Sequence, residues 1–215
     1  MYMYNQLLTK VSSCKYLGVY IDEDLSWKTH INHVCDKLRK LCGLFYKIGN
    51  LLPTQSAKIL YFSLVHSQLQ YSIETYANTY TTYLDKLHKL NNKIIRILFN
   101  KPKRSTAVND LYRLCDTLPI YQLHNLKLLQ FVHKCVYHSS ELPDLFTQYY
   151  ENINSTSTYT FRKNTNLKIF RYSTNFCQRS CKYKGAKLWN SLPTIIKEYK
   201  CPSVFSKAVR LHLFI

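Results

Sequence analysis

Apolar residues recur at Ile31, Val34, Leu38, Leu41, Phe45 and Ile48, in steps of 3, 4, 3, 4 and 3. That spacing returns to one face of a 3.6-residue turn and predicts a helix over 27–48. Lys37, Lys40 and Lys47 fall on another face, and Gly49-Asn50 ends the run. A second helix opens at Pro53-Thr54, with Thr54 as cap, and continues to position 71. Its core face is Ala57, Leu60, Tyr61, Leu64 and Val65. A third covers 82–99, with Leu84, Leu87, Leu90, Ile94 and Ile97 in line. A short fourth helix starts at Ser105 or Thr106, ends near Cys115 and is punctuated by Leu118-Pro119. A fifth covers 120–137, facing inward through Leu123, Leu126, Leu129, Val132 and Val136. Leu145-Phe146 suggests one further turn. A short helix reaches Lys200, and a last one starts at Pro202-Ser203 with Phe205, Val209 and Leu213 as its face.

The N-terminal end has a different pattern. Tyr16, Val19 and Ile21, mixed with Leu17 and Tyr20, read as a buried strand, and Gly18 inside it suggests a bulge or a close backbone approach. Residues 2–12 alternate loosely and would pair with this strand through a turn at Ser12-Ser13. Asp22-Glu23-Asp24 breaks the run, and Asp24 or Ser26 would cap the first helix. Two strands are marginal alone, so this end looks like the edge of a larger sheet. The expected fold is mainly α: a short N-terminal β-hairpin, a bundle of five to seven helices, and an irregular basic C-terminal segment. By composition the chain divides into 1–24, a helical part 25–150, a linker 151–166 rich in Asn, Ser and Thr, and a basic part 167–215 with terminal helices.

Charge changes the picture most. The 215 residues carry 30 Lys and Arg against 12 Asp and Glu, a formal net charge of +18. Such a balance implies a polyanionic partner, with nucleic acid the first candidate. An acidic membrane is the weaker one, because no basic cluster adjoins a lipidation signal. No apolar run of about 18 residues occurs, and Met1-Tyr2-Met3-Tyr4-Asn5 does not resemble a signal peptide. The eight cysteines include no Cys-x-x-Cys pair and read as free thiols of a reducing compartment, nucleus or cytoplasm. Oligomeric state is not legible.

Two stretches concentrate the cations. Lys86, Lys89, Lys93 and Arg96 recur at 3, 4 and 3 along one side of the third helix, extended by Lys101, Lys103 and Arg104. No acid follows Asp85 until Asp110, so pairs within the helix do not absorb this charge. Such a stripe is ordinarily a solvated face; its alternative is phosphate contact. The second stretch lies between Glu151 and Glu198, where nine Lys or Arg, among them Lys182, Lys184 and Lys187, meet no acid. Tyr159, Phe161, Phe170, Tyr172, Phe176, Tyr183 and Trp189 interleave with them, cations for phosphates and flat rings for bases. Phe170, Phe176 and Trp189 are expected in the core instead.

Beyond periodicity, the side chains at fixed spacing resemble a known family. Tyr16-Leu17-Gly18-Val19, Asp22, and Leu25-x-Trp27-x-x-His30-Ile31 resemble the end of the palm and start of the thumb in reverse transcriptases of non-LTR retrotransposons, LINE-type and jockey/CR1-like. Tyr183-x-Gly185-x-x-Leu188-Trp189-Asn190-x-Leu192-Pro193, followed by Ser203-x-Phe205, is similar to their C-terminal segment. Leu60-Tyr61 with Tyr71, and Asn92-Lys93 with Arg96, match between these in family order. The resemblance implies an RNA-directed DNA polymerase, usually preceded by an endonuclease domain, whose thumb grips template and primer. It makes Tyr16, Leu17, Gly18, Val19, Asp22, Trp27, His30, Gly185, Trp189, Asn190 and Pro193 structural motif positions, and implies magnesium only for the complete enzyme.

The family's catalytic carboxylates, an early palm aspartate and an aromatic-x-Asp-Asp hairpin, have no counterpart here. Tyr20-Ile21-Asp22-Glu23-Asp24 looks like a degraded version, but its flanks place Asp22 in the later motif. No catalytic residue is assigned, and this chain alone is expected not to be an enzyme. No cofactor is expected in it. Zinc ligation by Cys177, Cys181 and His212, or by His133, Cys135 and His138, fits poorly, and these histidines read as structural. No phosphate-cradling glycine motif occurs among four glycines. The expected partner is nucleic acid: RNA, an RNA–DNA hybrid or DNA. The alternatives are a stand-alone basic binding module derived from a transposon, and a non-functional remnant.

Overall fold

The structure, a computed structural model, describes residues 2–3, 6–7, 9–101, 106–151 and 165–214. It is mainly helical, with an N-terminal antiparallel hairpin. Strands β1 (Tyr2–Met3) and β2 (Gln6–Leu7) pair with each other, and β3 (Ser13–Tyr16) pairs with β4 (Val19–Asp22). Helices follow as α1 (Lys28–Ile48), α2 (Thr54–Leu60), α3 (Ser67–Gln70), α4 (Ile73–Tyr76), α5 (Thr81–Leu98) and α6 (Val108–Cys115). Then come α7 (Ile120–Tyr137), α8 (Asn175–Gln178), α9 (Cys181–Ser191), α10 (Thr194–Lys197) and α11 (Pro202–Leu213). The chain packs as two units: residues 1–72 with 79–115, and residues 73–78 with 116–215. The composition-based part 25–150 is thus shared between both units. Among the described residues no helix is long and apolar enough to cross a membrane.

In the first unit α1 and α5 pack side by side. Ile31, Val34, Leu38 and Phe45 of α1 are buried, as are Leu84, Leu87, Ile94, Ile95 and Leu98 of α5. Each such side chain removed from water stabilises the pair by roughly 1.5–3 kcal/mol. The expected α2 is interrupted: residues Tyr61–His66 form a π-helical stretch before α3. Thr54 begins that helix rather than capping it, since Pro53 holds the cap position.

The hairpin differs from its expectation in register. The turn is not at Ser12-Ser13 but at Leu17-Gly18, with φ of 45° and 82°. Two consecutive positive φ values make the two-residue turn whose twist matches a tight hairpin. Tyr16 therefore pairs with Val19, and Tyr16 and Leu17 are exposed at the tip; only Val19 of the expected core trio is buried. Tyr71 closes over this tip, its hydroxyl donating to the Leu17 carbonyl. The base of the hairpin anchors α1. Buried Asp22 accepts from Ser26 Oγ at 2.8 Å and from the Thr29 N–H at 3.4 Å, which satisfies a donor at the helix N-terminus. Asp22, not Asp24, thus carries the capping charge. Burial raises its pKa, but hydrogen bonds from Thr29 and Ser26 outweigh this and hold it below the ordinary value. Buried His30 accepts the Tyr20 N–H on Nδ1 at 3.4 Å, a second tie between hairpin and helix.

The second unit is built on α7, which packs against α4, α9 and α11. Three side chains at its C-terminal end hold three carbonyls of residues 197–200: Tyr137 donates to Lys197 O at 2.7 Å, His133 to Tyr199 O at 2.7 Å, and His138 to Lys200 O at 3.0 Å. The C-terminal segment is more regular than its sequence suggests. Residues 181–191 are helical, capped by Ser180, whose hydroxyl accepts the Tyr183 N–H. Its face toward α7 is Gly185, Ala186 and Trp189, too small and too irregular to register as periodicity. Of the aromatics expected in the core here, Trp189 is buried, Phe170 is half-buried and Phe176 is 54% exposed. Phe176 lies on the one-turn α8, which does not cover it.

Gly185 has no room for a side chain: a Cβ would fall onto the Tyr150 hydroxyl and 2.8 Å from Val132 Cγ2. Gly185→Ala is expected to destabilise this unit by about 1–3 kcal/mol despite the better helix propensity of alanine. Urea unfolding followed by Trp189 fluorescence in a Trp27→Phe background would measure it, and an unchanged midpoint would refute the packing argument.

Candidate nucleic-acid interface

The cationic stripe of α5 lies beside the C-terminal end of α1, and the two helices enclose a concave groove of about 830 Å³. Lys89, Lys93, Arg96 and Lys101 line it from one side, Phe45 and Tyr46 from the other. Asn92, Ile97 and Asn100 of the α5 side, and Val108 at the start of α6, complete the wall. Four of the cations singled out by spacing therefore meet in one place. Lys89, Lys93 and Lys101 are exposed, and none of the ion pairs described in the structure uses them. Arg96 is half-buried and donates to Thr106 O at 3.1 Å, which steers its guanidinium along the wall. Lys93 Nζ stands 5.8 Å above the centre of the Tyr46 ring. Tyr46 is 60% exposed, so the ring is an open platform.

Lys86 lies one turn before this groove and is not among its lining residues. Its Nζ is 5.8 Å from the Tyr83 ring centre, and Lys28 Nζ is 6.0 Å from the same ring. Lys103 and Arg104 lie outside the described residues. Lys182, Lys184 and Lys187 belong to the other unit, on α9. Lys182 sits between Phe170 and Tyr149, at 4.8 and 5.6 Å from their ring centres. Lys184 is half-buried, and burial pulls its pKa down, a poor setting for phosphate contact. Lys187 is exposed.

A buried polar chain holds the groove wall in place. Tyr61 Oη donates to Asn91 Oδ1 at 3.1 Å, and Asn91 Nδ2 to Tyr112 Oη at 3.2 Å. Tyr112 Oη donates to Asn92 Oδ1 at 2.5 Å, and Asn92 Nδ2 to His88 Nε2 at 3.2 Å. Burial pushes the Tyr112 phenol far above its ordinary pKa, so it remains a donor. This chain ties the π-helical stretch and α6 to α5 and fixes the amide of Asn92 in the groove wall. Asn91, 1% exposed, is a member that spacing alone did not mark, because a polar residue on a core face carries no periodic signal. At the end of the groove, Gly49 lets α1 approach α5: a Cβ there would lie 2.8 Å from Ile97 O.

The motif positions carry packing and hydrogen bonds. Leu17, Gly18, Asp22 and His30 join hairpin, α1 and Tyr71, as described above. Trp27 has a left-handed backbone, φ 61°, at the start of α1. Trp189 Nε1 donates to Thr165 O at 2.9 Å. The Asn190 amide pairs with both the N–H and the carbonyl of Leu167, each at 2.8 Å, and Pro193 opens α10. Among the described residues, no group of three or more His, Cys, Asp or Glu could hold a metal ion. Cys181 donates to Glu74 O at 3.2 Å and accepts from Asn78 Nδ2 at 3.1 Å.

What the groove offers chemically is an apolar floor under a cationic rim, with two side-chain amides at the edge. Comparison of the chain with protein-family models, with curated proteins and with solved structures returned no match.

Proposed function

We propose that this chain binds nucleic acid through the α1–α5 groove, as the C-terminal part of a non-LTR retrotransposon reverse transcriptase: the end of the palm, the thumb and the C-terminal segment. The observation that carries the binding is the convergence of Lys89, Lys93, Arg96 and Lys101 on one groove beside an exposed ring. Phosphates would take the lysines, which no described carboxylate neutralises. The motif spacings of the hairpin, α1 and α9 support the wider identity. On this reading the chain supplies grip and no chemistry; the metal-binding aspartates belong to the part of the enzyme that the resemblance places before it.

A second reading is favoured by one observation. The hairpin is seated within its own unit by Asp22, His30 and Tyr71, so it does not depend on a larger sheet for partners. A stand-alone basic binding module derived from such an element uses the same groove.

The test is a salt series of binding by the purified chain to an RNA–DNA hybrid, duplex DNA and single-stranded RNA. The expected result is preference for the hybrid and an affinity that falls steeply and linearly in log salt, by about 0.9 per phosphate contacted. Absence of binding, or equal binding to all three and to heparin, would overturn the proposal.

A further inference from the structure

The groove is more than a row of cations, and phosphate contact alone does not account for its floor. Ile97 and Val108 line it with apolar surface over the buried Phe45, and Tyr46 adds an exposed ring at its edge. A phosphate needs none of these. An intact duplex needs none either, because its bases are stacked on each other and present only backbone and groove edges to a protein. A flat apolar group with an anion on each side would use all of them: ring on Tyr46, edge toward Asn92 and Asn100, anions on the lysines. That is the chemistry of an unpaired nucleotide.

We infer that the α1–α5 groove seats an unpaired base at the end of a duplex, stacked on Tyr46, with its flanking phosphates held by Lys89 and Lys93. Lys93 covers the Tyr46 ring at 5.8 Å. A base entering there takes the ring face, and the ammonium moves to the incoming phosphate, so one lysine exchanges a cation–π contact for a charged hydrogen bond. Arg96 does not need to move, because Thr106 already orients it. The volume of about 830 Å³ lies within the range of sites that enclose a small organic group rather than a flat phosphate contact. This inference rests on the proposed nucleic-acid binding and names which part of the nucleic acid enters the groove.

The experiment compares a blunt RNA–DNA hybrid with the same hybrid carrying a three-nucleotide single-stranded extension, each by fluorescence anisotropy at one salt concentration. The extension is expected to tighten binding about tenfold, the scale of one base stacked on an aromatic side chain. Tyr46→Ala should remove that gain, read as the ratio of extended to blunt affinity within each variant, whereas Tyr46→Phe should keep it. Tyr46 is exposed, so neither variant disturbs the core, and circular dichroism checks this. Equal affinity for blunt and extended hybrids, or a gain that survives Tyr46→Ala, would overturn the inference while leaving the groove's phosphate binding standing. Failure to bind either hybrid would instead overturn the binding proposal itself.

Discussion

Reversing charge at Lys89 and Lys93 together is expected to weaken binding to an RNA–DNA hybrid about a hundredfold at low salt, and to flatten the log-salt slope by nearly two. Both ammonium groups line the groove, both side chains are exposed, and no described ion pair is broken by replacing them. Each phosphate that a lysine neutralises releases condensed counterion, so losing two contacts removes about 0.9 each from the slope. The double variant Lys89→Glu/Lys93→Glu adds a second effect, because two carboxylates now repel the backbone. A control changes net charge equally elsewhere: Lys200→Glu/Lys207→Glu, both exposed and on the second unit. If the control loses as much as the groove variant, attraction is set by the overall charge of +18 and the groove has no special part. If only the groove variant loses, the grip is local.

Half of that groove is legible in the sequence. The spacing of Lys86, Lys89, Lys93 and Arg96 marks one side of α5, since recurrence at 3 and 4 is a property of a single helix. What faces the stripe is not. Tyr46 and Phe45 come from a helix forty residues earlier, and which pair of helix faces meets is decided by packing, which no local period encodes. Lys86 shares the stripe yet is not among the lining residues. The three long helices follow the same logic: α1, α5 and α7 lie within a residue of the bounds their apolar steps predict.

The hairpin shows the limit from the other side. Leu17 adopts a positive φ that a leucine seldom takes, and no Asn-Gly or Asp-Gly announces the turn. Tyr71, fifty-four residues away, closes over the tip and offsets part of that cost. Helix α9 escaped for a related reason. Its inward face is Gly185, Ala186 and Trp189, where the demand is close approach to Tyr150 and Val132 rather than bulk. Such demands come from the partner, not from the segment.

Lowering the pH from 7.5 to 4.5 is expected to cost the fold several kcal/mol, beginning well above the range where carboxylates titrate. Burial holds His30 down to about 4 and His124 down to about 3, both far below 6.5. The positive charge of Lys37, with His33, adds to the effect at His30, and that of Lys184 at His124. Their folded pKa values are depressed, so the unfolded chain takes the proton first. Their contribution is complete above pH 6.5 and is lost as pH falls toward 4 and then 3. Each ring accounts for about 2–3 kcal/mol over that interval. Asp22 adds in the same direction at lower pH, since its depressed pKa stabilises the fold only while the carboxylate is ionised. Urea unfolding at pH 7.5, 6.0 and 4.5 measures the sum. His30→Asn keeps an acceptor for the Tyr20 N–H, and His124→Leu leaves an apolar side chain at a site 4% exposed; each should reduce the loss in its own unit. A wild-type midpoint that does not move between pH 7.5 and 4.5 would mean that both rings accept protons in the folded state. The interiors around α1 and α7 would then have to be wetter than their packing describes.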